Sequence, residues 1–126
     1  MFIAACRLTF ALPGNRSLKG KRQVVRRVCD RLKHKFHATA AEVGDSERWS
    51  EAEIGFAMVS GNERKAKAMV ENIVDYLQDM MIAPIRDAEF EIIKFDDIAM
   101  GESFGPLERW DPENDAKLGD FYENEE

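Results

Sequence analysis

Residues 2–36, FIAACRLTFALPGNRSLKGKRQVVRRVCDRLKHKF, change period halfway along, and that change decides the fold. Over 2–12 the side chains alternate. Phe2, Ala4, Cys6, Leu8, Phe10 and Leu12 share one face, and Ile3, Ala5, Arg7, Thr9 and Ala11 share the other. A period of two is a strand, with the more apolar even face toward a core. Pro13-Gly14-Asn15 punctuates the chain, and Ser17 is placed to accept a hydrogen bond from a helix's first turn. Beyond it Leu18, Val25, Val28, Cys29, Leu32 and Phe36 recur at helical spacing, which predicts a helix over 18–36 with one buried stripe.

The same two periods recur downstream. Residues 38–43 are small or β-branched and predict a short second strand, and 44–50 carry turn residues together with Trp49. Residues 53–60 alternate again, with Ile54, Phe56 and Met58 on one side, and predict a third strand. Asn62 is placed to cap a second helix that runs to residue 80, buries Ala66, Met69, Val70, Ile73, Val74 and Leu77, and is followed by Pro84. Residues 89–97 predict the fourth strand. Strand, helix, strand, strand, helix, strand is the split pattern of an α+β, ferredoxin-like βαββαβ sandwich: a four-stranded antiparallel sheet with two helices on one face. We therefore expect a ferredoxin-like domain over 1–100, with 101–126 an acidic, extended or disordered C-terminal tail, because period is lost there and Asp, Glu, Gly, Pro and Asn dominate.

A 126-residue chain with 44% hydrophobic residues can build a core without disulfides or a structural metal, and two cysteines, Cys6 and Cys29, are too few for a disulfide framework. No apolar run approaches a membrane span and the first residues lack the marks of a secretory signal, so a cytoplasmic location is expected. The net charge of −6 conceals a strong asymmetry. Residues 1–37 hold ten Lys/Arg against Asp30 alone, whereas 96–126 hold two basic and eleven acidic side chains. Such a split predicts a basic interaction surface at one end of the chain and an acidic segment at the other.

The stretch Leu12-Pro13-Gly14-Asn15-Arg16-Ser17-Leu18-Lys19-Gly20-Lys21-Arg22 resembles the LPGSRSLKEKR signature that opens the YlxP-like family of small bacterial proteins of unknown function. Arg31-Leu32, Phe36, Ala41-Glu42-Val43, Trp49, Ile54-Gly55 and Val59-Ser60 are similar to that family's later motifs, so the likeness spans about residues 1–97. It implies a ferredoxin-like fold and an association with translation, since the family's genes commonly lie beside those for transcription-termination, initiation and ribosome-binding factors. It implies no catalytic residue. Gly20 stands where the family usually has Glu, which removes a capping box and predicts a helix start weaker by about 1 kcal/mol. The family usually ends near the fourth strand, so the acidic tail inherits no expectation.

The first helix carries the most distinctive chemistry. At 100° per residue Lys19, Arg22, Arg26 and Lys33 form one ridge beside the apolar stripe, Arg27 and Arg31 a second, and Arg16 sits in the loop before them. A row of cations one turn apart can track phosphates. Arg16, Lys19, Lys21, Arg22, Arg26 and Lys33 are the expected RNA- or phosphate-binding residues, and RNA or a ribosomal particle the expected partner. The loop lacks GxxxxGKS/T, which argues against a nucleotidase. Residues 54–59 partly match an RNA-recognition-motif octet, but Phe56 falls on the core side, so RNA is expected on helix and loop rather than on the sheet.

Ile3, Ala5, Ala57, Val59, Ile93 and Phe95 should form an apolar open sheet face, from which we expect a homo-oligomer. The alternative reading is a protein-interaction module that self-associates through this face and recruits a partner with its acidic tail. His34 and His37 have metal-compatible spacing without a third ligand, both cysteines fall on core faces, and Asp111, Glu113 and Asp115 lack the glycine and glutamate of a calcium loop. No acid–base or nucleophilic pair can be named. No enzyme, cofactor, metal, membrane partner or small-molecule substrate is expected.

Overall fold

The computed structural model describes residues 1–95. Six elements follow one another there: β1 (Phe2–Ala11), α1 (Leu18–Phe36), β2 (Thr39–Glu42), β3 (Glu51–Ser60), α2 (Glu63–Met80) and β4 (Ile85–Lys94). They build one antiparallel sheet in the order β2-β3-β1-β4. α1 packs over β2 and β3, and α2 over β1, β3 and β4. This is the ferredoxin-like α+β sandwich that the two periods predict.

The core follows from strand alternation. Ala4, Cys6, Leu8 and Phe10 of β1 and Ala52, Ile54, Phe56 and Met58 of β3 are all buried. The register Cys6↔Phe56 and Leu8↔Ile54 sets them side by side, under Val28, Cys29 and Leu32 of α1 and Ala66, Val70, Ile73 and Leu77 of α2. Each large apolar side chain so buried contributes roughly 1.5–3 kcal/mol relative to exposure. Phe56 is 3% exposed and belongs to this core, which excludes it as a base-stacking platform.

Both helices start on a side-chain cap. Ser17 Oγ accepts from Gly20 N–H at 3.0 Å, and Asn62 Oδ1 accepts from Lys65 N–H at 3.1 Å. α1 ends on His37 in the left-handed conformation, with His37 N–H donating to the Lys33 carbonyl and Ala38 N–H to the Leu32 carbonyl, both at 3.1 Å. The bond from the left-handed His37 back to the carbonyl four residues earlier is that of an αL stop.

β4 differs from the reading of the sequence: it begins at Ile85, not at residue 89. Phe10 pairs with Ile85 while Thr9 pairs with Asp87, so Arg86 is an extra residue at a bulge and the strand's alternation is broken where it starts. The expected tail, 101–126, lies outside the described residues, as do Asp96 and Asp97 of the expected fourth strand.

Candidate functional site

α1 presents a dense row of cations. Arg16, Lys19, Arg22, Arg26 and Lys33 are exposed, as are Arg27, Arg31 and Lys35. None of these forms a salt bridge with a carboxylate among the described residues. Three arginines elsewhere on the surface are paired, Arg7 with Glu89 at 2.9 Å and both Arg48 (2.9 Å) and Arg86 (3.0 Å) with Glu51, whereas the exposed Arg64 of α2 has no carboxylate partner among the described residues. At the far end of α1, Lys35 Nζ lies 4.7 Å from the Tyr76 ring centre, over the edge-on contact between Phe36 and Tyr76.

Lys21 corrects the expected phosphate-binding set. Its side chain is 2% exposed, on the buried face of α1, and it cannot meet a ligand there. Its Nζ donates to the carbonyls of Asp45 and Arg48, each at 2.6 Å. Glu42 Oε2 lies 3.2 Å away as a counter-ion, although the angles are not those of a hydrogen bond. A buried ammonium is tolerated only when its donors and charge are satisfied. Here two carbonyls of the β2–β3 connection take its hydrogen bonds and Glu42, at the end of β2, balances its charge, so that Lys21 holds the connection against α1. The sequence contains the signal, since residue 21 is three beyond Leu18 and four before Val25, on the apolar stripe itself.

A second clamp acts from the β1–α1 connection. Asn15 Nδ2 donates to the Trp49 carbonyl at 2.7 Å and to the Ser17 carbonyl at 3.0 Å, and Leu12 N–H donates to the Ser50 carbonyl at 2.9 Å. Gly20 explains itself in this setting, because a Cβ there would overlap Asn15 Oδ1. The missing capping-box glutamate is thus replaced by a side chain that staples two loops. Trp49, 50% exposed, stands on the stapled segment.

The open sheet face is only partly the apolar surface expected. Register sets Ile3 beside Val59 and Ile93, and Ala5 beside Ala57. The neighbouring rows bring Glu91 next to Ala5 and the Arg7–Glu89 ion pair next to Gly55. Between them runs a shallow trough of about 560 Å³, floored by Ala5, Ala41, Gly55 and Ala57. Cys6 and Cys29 are both buried, and burial pushes the Cys6 thiol up to about 11 and raises that of Cys29. In both, burial disfavours the thiolate, which is the nucleophilic form.

No helix among the described residues is long and apolar enough to cross a membrane, and none of their His, Cys, Asp and Glu side chains gather in a group of three or more able to hold a metal. The chain is similar to the uncharacterized protein YlxP of Bacillus subtilis (strain 168), at 28% identity over 61 residues, which cover 48% of this chain and just under two thirds, 66%, of that relative. Among solved structures it is similar to a de novo designed protein with ferredoxin fold, LFR1 1, determined by solution NMR, with 13% identity and a TM-score of 0.45, covering 89% of this chain and 93% of that one. A family model, Protein of unknown function (DUF503), matches residues 3–90, from the start of β1 into β4. The chain therefore belongs to the DUF503 family, to which the LPGNRSLKGKR stretch already pointed.

Proposed function

We propose that this protein is a non-catalytic accessory factor that contacts structured RNA or a ribosomal particle through α1 and the loop that feeds it. One observation carries the reading: Arg16, Lys19, Arg22, Arg26 and Lys33 are exposed and have no carboxylate partner among the described residues. From Lys19 to Lys33 the helix rises roughly 20 Å, enough to meet several phosphates in succession. Each phosphate neutralised releases counterions, so binding should weaken steeply as salt rises. Sedimentation of the full chain with ribosomal particles at low and high salt tests this. Migration with one subunit at low salt and release at high salt is expected. A protein that stays at the top of the gradient in both conditions would dispose of the reading.

A second reading, self-association through the open sheet face, is supported by Val59, which is 65% exposed and paired with Ile3 on that face. Sedimentation velocity at high concentration is expected to show a dimer or larger species that Val59→Asp dissociates. A monomer at every concentration would exclude it.

A further inference from the structure

Three successive carbonyls of the β2–β3 connection are each held from the α1 side. Arg48 accepts from Lys21 Nζ at 2.6 Å, Trp49 from Asn15 Nδ2 at 2.7 Å, and Ser50 from Leu12 N–H at 2.9 Å. Surface loops are mobile by default, and a single exposed aromatic is ordinary. An aromatic whose own backbone and both neighbours are fastened, one of them by a buried lysine, is a different object. The fastening leaves the indole half exposed and fixes its backbone to the segment that bears Arg16 and Lys19.

An exposed aromatic on a fastened backbone, joined to a segment whose cations have no carboxylate partner among the described residues, is a combination that can hold an unpaired nucleotide, the ring stacking on the base and the cations gripping the phosphates. We infer that Trp49 is a stacking platform for an unpaired RNA base, whose flanking phosphates lie on Arg16 and Lys19. The inference rests on the α1 reading above and narrows its ligand to RNA with single-stranded nucleotides, such as a hairpin loop, next to the stretch that α1 grips. The charges of the connection set the direction of the strand. Arg48 is neutralised by Glu51, and Asp45 and Glu47 make the outer part of the loop acidic, so the phosphates must run on the α1 side. A protein-binding hot spot would instead want an apolar, water-excluding surround.

The test uses the full chain carrying Trp110→Phe, which leaves Trp49 as its one tryptophan, and two RNA probes: a hairpin with an unpaired loop and a blunt duplex of equal charge. The hairpin is expected to quench Trp49 fluorescence and the duplex to leave it unchanged. Trp49→Ala should weaken hairpin binding about tenfold without altering its salt slope or the affinity for duplex, and Trp49→Phe should recover much of the loss. If Trp49→Ala binds the hairpin like the parent while Arg22→Ala/Arg26→Ala binds it less well, the stacking inference falls and the α1 reading stands. Equal weakening toward hairpin and duplex without quenching would reduce Trp49 to a structural residue, and would also overturn it. If neither probe binds with salt dependence, both readings fall together.

Discussion

α1 and α2 are built alike and charged differently. They are 19 and 18 residues long, each is capped by a side chain, each stops on a left-handed residue, and both cover the same core. α2 carries Arg64, Lys65 and Lys67 against Glu63, Glu71, Asp75 and Asp79, and it has Glu63 in its first turn, where the helix dipole favours an acid. α1 carries eight Lys/Arg against Asp30 and has no acid in its first turn. Lys19, Lys21 and Arg22 sit at the end of α1 where cations are least favourable. Packing on this sheet does not demand that pattern, since α2 packs without it. Lys33 and Lys35 in the last turn suit the helix dipole, but the cations of the first turn run against helix stability, which is the expected mark of a surface shaped by a ligand.

The sharpest way to break the comparison is through the two lysines that the helices treat differently. Lys21 is buried and bonded, whereas Lys67 of α2 is exposed and free of ion pairs among the described residues. Lys21→Ala strips two carbonyls and the Glu42 carboxylate of their partner, and is expected to cost about 3–5 kcal/mol by chemical denaturation. Lys67→Ala should stay within about 0.5 kcal/mol. Equal costs would mean that the ammonium of Lys21 does not hold the β2–β3 connection.

Next in size is the binding contrast. Arg22→Ala/Arg26→Ala should lower the salt slope of RNA binding by about 2 and leave the melting transition in place, while Arg64→Ala/Lys67→Ala in α2 changes neither. An unaltered isotherm for the α1 pair, or an equal loss for the α2 pair, would show that general charge rather than the α1 row attracts RNA.

How much of this was legible follows from which signals are local. Alternation in β1 and β3 and the stripes of both helices are local, and they place the sheet, its helices and the buried Phe56 correctly. The start of β4 is hidden by the bulge at Arg86, which breaks the alternation that announces a strand. The exposed ridge of Lys19, Arg22, Arg26 and Lys33 is written in the 100° spacing. The same spacing puts Lys21 on the apolar stripe, but its charge suggested a surface role because nothing local shows two carbonyls waiting 24 and 27 residues away. The staple from Asn15 to Trp49 spans 34 residues and has no signature in sequence at all. Alternation also places Arg7 with Ile3 and Ala5, and Glu89 and Glu91 with Ile93, on the open face; only the register shows that Glu91 lies beside Ala5 and that Arg7 meets Glu89.

The loop that leads into α1 offers a smaller test, because α2 has no counterpart to it. Ser17→Ala and Asn62→Ala remove equivalent caps and should each cost about 1 kcal/mol. Asn15→Ala should cost a similar amount, about 1 kcal/mol for its two bonds, and in addition loosen Trp49, visible as faster hydrogen exchange over 45–50. Gly20→Ala should be near neutral, since the helix-propensity gain of about 1 kcal/mol is offset by displacing Asn15, and in an Asn15→Ala background the gain should emerge in full. Strict additivity of the two substitutions would show that Asn15 and Gly20 do not share this space.

The smallest expected effect goes to the origin of the difference between the helices. Lys19→Glu should stabilise the fold by about 0.3–1 kcal/mol at low salt, because it replaces a cation with an acid at the positive end of α1, and Glu63→Lys in α2 should destabilise by a similar amount. Both shifts should shrink in high salt. Lys19→Glu should at the same time weaken RNA binding, since it removes a phosphate contact and places a like charge beside the strand. A gain in stability coupled to a loss of affinity would mean that α1 keeps an unfavourable charge at its N-terminus for the sake of a ligand. A Lys19→Glu protein no more stable than the parent would show that the dipole argument does not hold here, and the lopsided charge of α1 would then rest on the binding data alone.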